Sequence, residues 1–245
     1  MEAASVELLR QGLVGYGLQP EEAAVAAIVR HLELVAEWNE SVNLTAVTAE
    51  RDMVIKHALD SAAVLGVVPL HAGQRVLDVG TGAGFPGLTL KCLVPGIDLV
   101  LLESLAKRCR FLEAAAAELL AIVGNPGGLR VVWGRAEDVG RQEEFRETFD
   151  VVVARAVAEL RVLSEYCLPF CRVGGEFVAL KGPAVHEELE AAARAIEILG
   201  GEVAELRQVH LPEGAGSRSL VRIRKVKQTP TAYPRKAGTP SKRPL

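Results

Sequence analysis

The chain of 245 residues has little of several things that mark other classes of protein. Its four cysteines, at 92, 109, 167 and 171, form no Cys-x-x-Cys pair and fall far below the density of a disulfide scaffold, so reduced, mostly buried thiols are expected. Its five histidines never stand at metal-ligand spacing, and no metal site is expected. No long apolar run exists: the longest stretch without Asp, Glu, Lys or Arg is 61–74, too short for a membrane helix and interrupted by Gly, Pro and His. The opening MEAASVELLR carries two Glu and lacks the positive-then-apolar layout of a secretory leader, so a cytoplasmic location is expected. No Ser–His–Asp order, no His-Glu-x-x-His and no phosphate-cradling lysine motif occur. What is there is ordinary: 49% hydrophobic and 24% charged residues, enough to bury about 70–75% of the unfolded surface in one domain with an appendage.

The net charge of −3 conceals an asymmetry. Residues 218–245 hold nine basic side chains and no acidic one, leaving a net of −12 on residues 1–217. A strongly acidic body with a basic tail implies a localised contact with a polyanion.

Residues 2–15 and 20–38 read as amphipathic helices, the second with Pro20, Glu21 and Glu22 where a helix start favours them. In it Ala24, Ile28, Leu32, Val35 and Trp38 repeat at helical spacing. A third helix is expected over 51–66, after a polar connection. From residue 75 short apolar runs alternate with helical stretches: strands at 75–79, 98–103, 130–133, 149–154, 176–181, 202–208 and 219–226, helices at about 87–93, 105–122, 159–169 and 185–199. Gly and Pro signals punctuate them, among them Asn125-Pro126-Gly127-Gly128 and Gly174-Gly175. Near-continuous Val/Leu runs alternating with helices imply an α/β fold with a mostly parallel twisted sheet covered on both faces. The last two runs have no helix between them, which predicts an antiparallel pair at the sheet edge. The Pro-rich segment 228–245 has little apolar content and is expected to be extended or disordered on its own. The organisation expected is therefore an N-terminal helical cap (1–70), a ligand-binding domain (71–227) and a basic tail (228–245).

The first strand runs into Asp78-Val79-Gly80-Thr81-Gly82-Ala83-Gly84-Phe85-Pro86-Gly87 and then a helix. Glycines allow a tight strand-to-helix turn and let a ligand lie against bare backbone. Two ligands compete for it. Gly82-x-Gly84-x-x-Gly87 with Glu103 further on satisfies the dinucleotide fingerprint of an NAD-dependent oxidoreductase. The Asp-x-Gly-x-Gly-x-Gly pattern also fits S-adenosylmethionine (SAM), and Asp78 is better suited to a cationic methionyl end than to a pyrophosphate. Glu103 ends the second strand, where a carboxylate can accept from both ribose hydroxyls or simply be a solvated strand-end acid. Arg135-Ala136-Glu137-Asp138 follows the third strand as an adenine-reading loop or a surface turn. Arg155, at the mouth of the fourth strand, implies an anionic substrate or pairs with a nearby acid. Lys107 and Arg108 begin a helix, where positive charge opposes the macrodipole; phosphate contact and a solvated face both fit. Cys167 and Cys171 read as core and His186 as exposed helix.

Taken together these stretches resemble the bacterial 16S rRNA guanine-N7 methyltransferases, the glucose-inhibited division protein B family. The matching residues are Trp38-Asn39 with Asn43-Leu44-Thr45, His57-x-x-Asp60-Ser61, the glycine loop through Gly-Phe-Pro-Gly, and Glu103-Ser104-x-x-Lys107-Arg108-x-x-Phe111-Leu112. They continue with Arg135-Ala136-Glu137, Asp150-x-x-x-x-Arg155-Ala156, Leu180-Lys181-Gly182 and Tyr233-Pro234-Arg235-x-x-Gly238-x-Pro240-x-Lys242-x-Pro244-Leu245. The resemblance covers about residue 38 to the C-terminus, with no departure that breaks the pattern. It implies a Rossmann-like SAM-dependent methyltransferase fold with an N-terminal helical cap, SAM contacts at Gly80, Phe85, Ala136, Glu137 and Arg155, and a target guanine in the decoding-region loop (position 527 in the usual rRNA numbering). Gly82, Gly84 and Glu103 complete the expected SAM set. Guanine N7 has a free lone pair and no proton to lose, so no catalytic base is expected, and none is assigned. Lys107, Arg108, Arg155, Lys181, Arg235, Lys236, Lys242 and Arg243 are expected to meet RNA phosphates of the small ribosomal subunit or its precursor. Loss of 228–245 is expected to weaken RNA binding and spare SAM binding. A monomer that contacts no membrane is expected. The competing readings are the NAD-dependent oxidoreductase, a small-molecule methyltransferase and a non-enzymatic RNA-binding module.

Overall fold

A computed structural model describes residues 1–124 and 126–245; Asn125, in one of the turn signals above, lies outside the described residues. The seven strands are β1 (Arg75–Val79), β2 (Asp98–Glu103), β3 (Leu129–Trp133), β4 (Phe149–Arg155), β5 (Cys171–Lys181), β6 (Gly201–His210) and β7 (Ser217–Lys225). They form one sheet in the order β3-β2-β1-β4-β5-β7-β6. The first five are parallel, and β7 runs antiparallel between β5 and β6. The expected edge pair is therefore present, with β7 inserted rather than outermost. The sequence order reverses between β1 and β4, whose carboxyl ends form the switch point where open α/β sheets bind ligands.

Successive strand residues serve opposite faces, as the pleat requires. Val76, Leu99, Leu101, Val151, Val153, Val178 and Leu180 join one core. Leu77, Val79, Val100, Leu102, Val152, Ala154, Phe177 and Ala179 join the other. The first face is covered by α1 (Ala3–Gly15), α2 (Glu22–Val42) and the segment from α3 (Glu50–Met53) through a π-helical turn (Val54–Leu59) to α4 (Asp60–Ala62), together with α5 (Gly87–Leu93) and α6 (Ala106–Val123). The second is covered by α7 (Ala136–Val139), α8 (Leu160–Cys167) and α9 (His186–Ile198). The helical cap thus shares one continuous core with the sheet.

The single helix expected over 51–66 is a succession of α3, the π-helical turn, α4 and a 3-10 turn (Ala63–Gly66), and three further differences are larger than a residue or two at an element's end. Helix α2 runs on to Val42 and ends at Asn43 in the left-handed conformation (φ 54°). There the Asn39 carboxamide oxygen accepts from the Leu44 and Thr45 N–H groups at 2.7 and 2.9 Å, satisfying donors beyond the helix end. Strand β5 begins at Cys171, because Gly174-Gly175 passes through a register shift against Phe149–Val151 instead of ending the strand. The third difference is the tail. Residues 228–245 pack on the body, include a short α10 (Thr239–Lys242), and place Tyr233 and Leu245 against the second core. Their order comes from distant polar partners: Glu147 and Leu199 take Thr229, the Arg146 guanidinium donates to the Thr229 and Tyr233 carbonyls at 2.8 Å, and Glu165 takes Arg235.

Two buried ammonium groups fix loops at and beyond the strand starts. Lys91 donates to the carbonyls of Pro95, Ile97 and Gly128 at 2.7–2.9 Å. Lys225 donates to Glu147, Thr229 and the carbonyls of Leu168 and Cys171. All four cysteines are free and buried, and burial pushes the Cys92 and Cys171 thiols up to about 12.

Candidate active site

The glycine loop is built from below. Asp78, fully buried at the tip of β1, accepts through Oδ2 from the Thr81 hydroxyl (2.6 Å) and the Gly87 N–H (2.8 Å), pinning the loop to the start of α5. Burial pushes its carboxyl up to about 6. Asp78 therefore lies beneath the loop as a structural anchor, not on its ligand side as the motif reading had it. Gly80 adopts φ +69°, and a Cβ there would meet a Val157 methyl at 2.8 Å, so only glycine fits. Glu103, 4% exposed, accepts from the Gly82 N–H (3.0 Å) through Oε2 and from the Ser104 and Leu105 N–H groups (2.7 and 2.9 Å) through Oε1. It thereby joins the loop to the end of β2.

These elements border a cavity of about 230 Å³ lined by Val79, Gly80, Leu102, Ser104, Gly134, Arg135, Ala136, Glu137, Val157 and Tyr166. Its walls suit a nucleoside. Leu102, Ala136, Val157 and Tyr166 offer apolar surface for a base, and the buried Glu137 offers a carboxylate. They do not suit a pyrophosphate: the N–H groups of Gly80, Gly82 and Gly84 are already donated to Leu102, Glu103 and Thr81. Backbone donors are what a dinucleotide loop must keep free.

A second cavity of about 420 Å³ opens over the mouths of β4 and β5, lined by Val47, Lys56, His57, Asp60, Arg155, Ala156, Leu180, Lys181, Gly182, Glu188 and Arg218. Four cations face two carboxylates there. The Arg155 guanidinium donates to the Lys56 carbonyl (3.0 Å) and to Asp60 (3.2 Å), and lies 5.2 Å from the Phe85 ring centre. Arg218 approaches the other Asp60 oxygen at 3.4 Å. Burial raises the Asp60 carboxyl against the pull of those two arginines. Lys181 donates to the Ala158 carbonyl (2.8 Å) and pairs with Glu188 (2.7 Å). Successive residues Arg155, Ala156 and Val157 serve both spaces, the first two lining the second cavity and the third lining the first.

Of the expected SAM residues, Gly80, Ala136 and Glu137 line the first cavity, whereas Glu103 and Gly82, bonded to each other, do not line it and stand behind the lining residues Leu102, Ser104 and Gly80. Arg155 lines the second cavity. The Phe85 ring is 3% exposed, sandwiched between His31 (4.4 Å) and His57 (4.9 Å), and Gly84 faces Leu88 and His31. The Phe85 ring is thus turned into the core below the loop, and the Gly84 backbone packs directly against that core. Of the residues expected to meet RNA, Lys181 and Arg155 share the second cavity. Lys107, Lys236, Lys242 and Arg243 are exposed and enter no ion pair among the described residues. Arg108 stands 3.9 Å from Glu103. Arg235 is committed inward, with Nε and Nη2 on the buried Glu165 at 2.9 and 2.6 Å. Sequence reasoning assigned no role to Lys56, His57, Asp60, Tyr166 or Val157. The His57-x-x-Asp60 stretch carried a signal, but its partner Arg155 is almost a hundred residues away. The π-helical turn is the local device that presents both residues to the cavity.

A mostly parallel sheet in this order, with a glycine loop and an acid-edged cavity at its switch point, defines the Rossmann-like fold of SAM-dependent methyltransferases. Solved structures of the same fold include a precorrin-6y C5,15-methyltransferase from Geobacter metallireducens (TM-score 0.51, 16% identity, covering 67% of this chain and 86% of that one). Another is Aeropyrum pernix fibrillarin with natively bound SAM (TM-score 0.50, 16% identity, 67% and 73%). A family model described as rRNA small subunit methyltransferase G matches residues 24–221. A ribosomal RNA small subunit methyltransferase G of Symbiobacterium thermophilum is 59% identical over 97% of both chains, and one of Alkaliphilus oremlandii is 46% identical over 98% of both. The chain belongs to the rRNA small subunit methyltransferase G family. The dinucleotide oxidoreductase reading is thereby overturned, in keeping with the loop itself, whose Gly80, Gly82 and Gly84 N–H groups are already committed within the chain.

Proposed function

We propose that this enzyme methylates N7 of a guanine in the decoding-region loop of 16S rRNA, position 527 in the usual rRNA numbering, by direct transfer without a general base. SAM supplies an electrophilic methyl group carried on a sulfonium. The chain's own task is placement. The first cavity holds the nucleoside end of SAM with Ala136, Glu137 and the Glu103 carboxylate, and the second receives the base and its phosphates with Arg155, Lys181 and Arg218. The arrangement of the two cavities on either side of Arg155–Val157 carries this reading, because it brings a cation-rich acceptor space next to a space suited to a nucleoside. Proximity of this kind contributes about 7–11 kcal/mol in favourable cases. A nucleophile with a free lone pair asks nothing of the imidazole in the second cavity: burial and the Arg155 charge hold His57 down to about 4, and the neutral ring is engaged by Thr45 at Nε2 (2.9 Å) and by the Arg155 guanidinium at Nδ1 (3.4 Å).

Lys107, Lys236, Lys242 and Arg243 are placed in the proposal as peripheral phosphate contacts, with residues 1–70 as cap, 71–227 as the SAM-binding domain and 228–245 as tail. RNA enzymes of this kind take bases that are unpaired or extruded from the stack. The test is incubation with radiolabelled SAM and either naked 16S rRNA or small subunits. Borohydride–aniline cleavage then maps N7-methylguanine. A single cleavage in the decoding-region loop is expected. Label in a pyrimidine, on ribose, or only in small molecules would reject the assignment.

A further inference from the structure

The basic tail was expected to serve RNA alone and to be separable from the methyl donor's site. Its packing indicates otherwise. Gly238 donates its N–H to Oε1 of Glu137 at 2.8 Å, and Glu137 lines the first cavity. Three residues earlier, Arg235 donates from its backbone N–H (2.7 Å), Nε and Nη2 to the Glu165 carboxylate, whose side chain is 1% exposed. The next residue, Tyr166, forms the facing wall of the same cavity, and α10 packs on the helix that carries both. The segment is secured ahead of this by Arg146 on the Thr229 and Tyr233 carbonyls. Pro234 approaches Gly140 at the end of the Glu137 loop, where a Cβ would lie 3.4 Å from its ring.

We infer that residues 229–245 form a strap that positions Glu137 and Tyr166 as walls of the SAM cavity, with Arg235 as the positioning residue. The inference rests on reading the first cavity as the SAM site. Glu137 is buried with one oxygen held by the strap, so its remaining acceptor capacity has a fixed direction. Releasing the strap frees that carboxylate to turn and removes the support behind Tyr166. Binding energy shared between two places is reciprocal: if the strap favours SAM binding, SAM must tighten the strap by the same factor.

That reciprocity gives a test on the wild-type protein. Amide hydrogen exchange is measured with and without saturating SAM. The strap and the loop 134–137 are both expected to exchange about tenfold more slowly with SAM. Protection of 134–137 with an unchanged strap overturns the inference and leaves the cavity reading standing. Protection of neither, with SAM bound elsewhere, overturns the cavity reading and the strap with it. In activity assays Arg235→Ala is expected to raise the KM for SAM about tenfold with kcat and the KM for RNA near wild type, and Arg235→Lys to recover part of the loss. Should Arg235→Ala not fold because Glu165 is left charged and buried, the pair Arg235→Gln with Glu165→Gln removes both charges together. Wild-type SAM affinity in a folded variant whose RNA affinity has dropped tenfold would restore the tail to a purely RNA-binding role.

Discussion

Acidification should unfold this protein through a particular imidazole. His31 lies in α2 with no exposure, donates from Nε2 to the Ala83 carbonyl at 2.7 Å, and leaves Nδ1 without a partner among the described residues. Burial, helped by the charges of His57 and Arg155, holds it from the usual 6.5 down to about 4. Between those values the unfolded chain takes up a proton that the folded chain refuses. Its contribution to stability is therefore complete above pH 6.5 and is lost as the pH falls towards 4. At about 1.4 kcal/mol per tenfold change in proton affinity the whole effect is about 3 kcal/mol, of which about 2 kcal/mol falls between about pH 7 and pH 4.5. His57 adds in the same sense, whereas Asp78, pushed up to about 6, binds its proton first in the folded state and opposes both. The difference between wild type and His31→Gln cancels those two, and the glutamine amide can still donate to Ala83. Urea unfolding at the two pH values should show wild type losing about 2 kcal/mol more than the variant. Equal losses would refute the argument that this buried neutral ring sets the acid sensitivity.

Glu103→Ala strips the acceptor from three backbone N–H groups at the loop and β2 end, and SAM affinity by calorimetry should fall about 10- to 100-fold; wild-type affinity would remove Glu103 from the site. Lys181→Ala should weaken RNA binding and lower the salt slope by about one, whereas an unchanged slope would mean that Glu188 already consumes this charge. Lys225→Met leaves Glu147 and three other oxygens without their buried ammonium and should cost about 3–5 kcal/mol by urea unfolding, and a loss below about 1 kcal/mol would contradict the role assigned to it.

Much of the sheet was legible because its strands announce themselves locally. The runs at β1 and β2 are bounded by charged or Gly/Pro residues and were placed to the residue, and the missing crossover helix before β7 betrayed the antiparallel turn. Position in space was harder. The glycine motif located the loop but not which way its neighbours point: Asp78 and Phe85 face down into the body, because one must anchor Thr81 and Gly87 and the other must fill the gap between His31 and His57. The second cavity joins residues from the cap, β4, β5 and β7, a combination no local pattern can encode. The tail looked unstructured for the same reason. It has few apolar residues of its own and is ordered by Glu137, Glu147, Glu165 and Arg146, all far away in sequence.

The interleaving of the cap with the first face of the sheet sets a practical limit on dissecting this enzyme. Leu9, Leu13, Ile28 and Val35 interlock with Leu88, Leu101 and Phe111 in the same packed layer. A fragment starting at residue 71 would present that layer bare to water, an oily surface of the kind that drives proteins to clump. Residue 70 is a boundary for the eye rather than for the solvent, and what the cap contributes to recognising RNA must be learned from side chains changed one at a time.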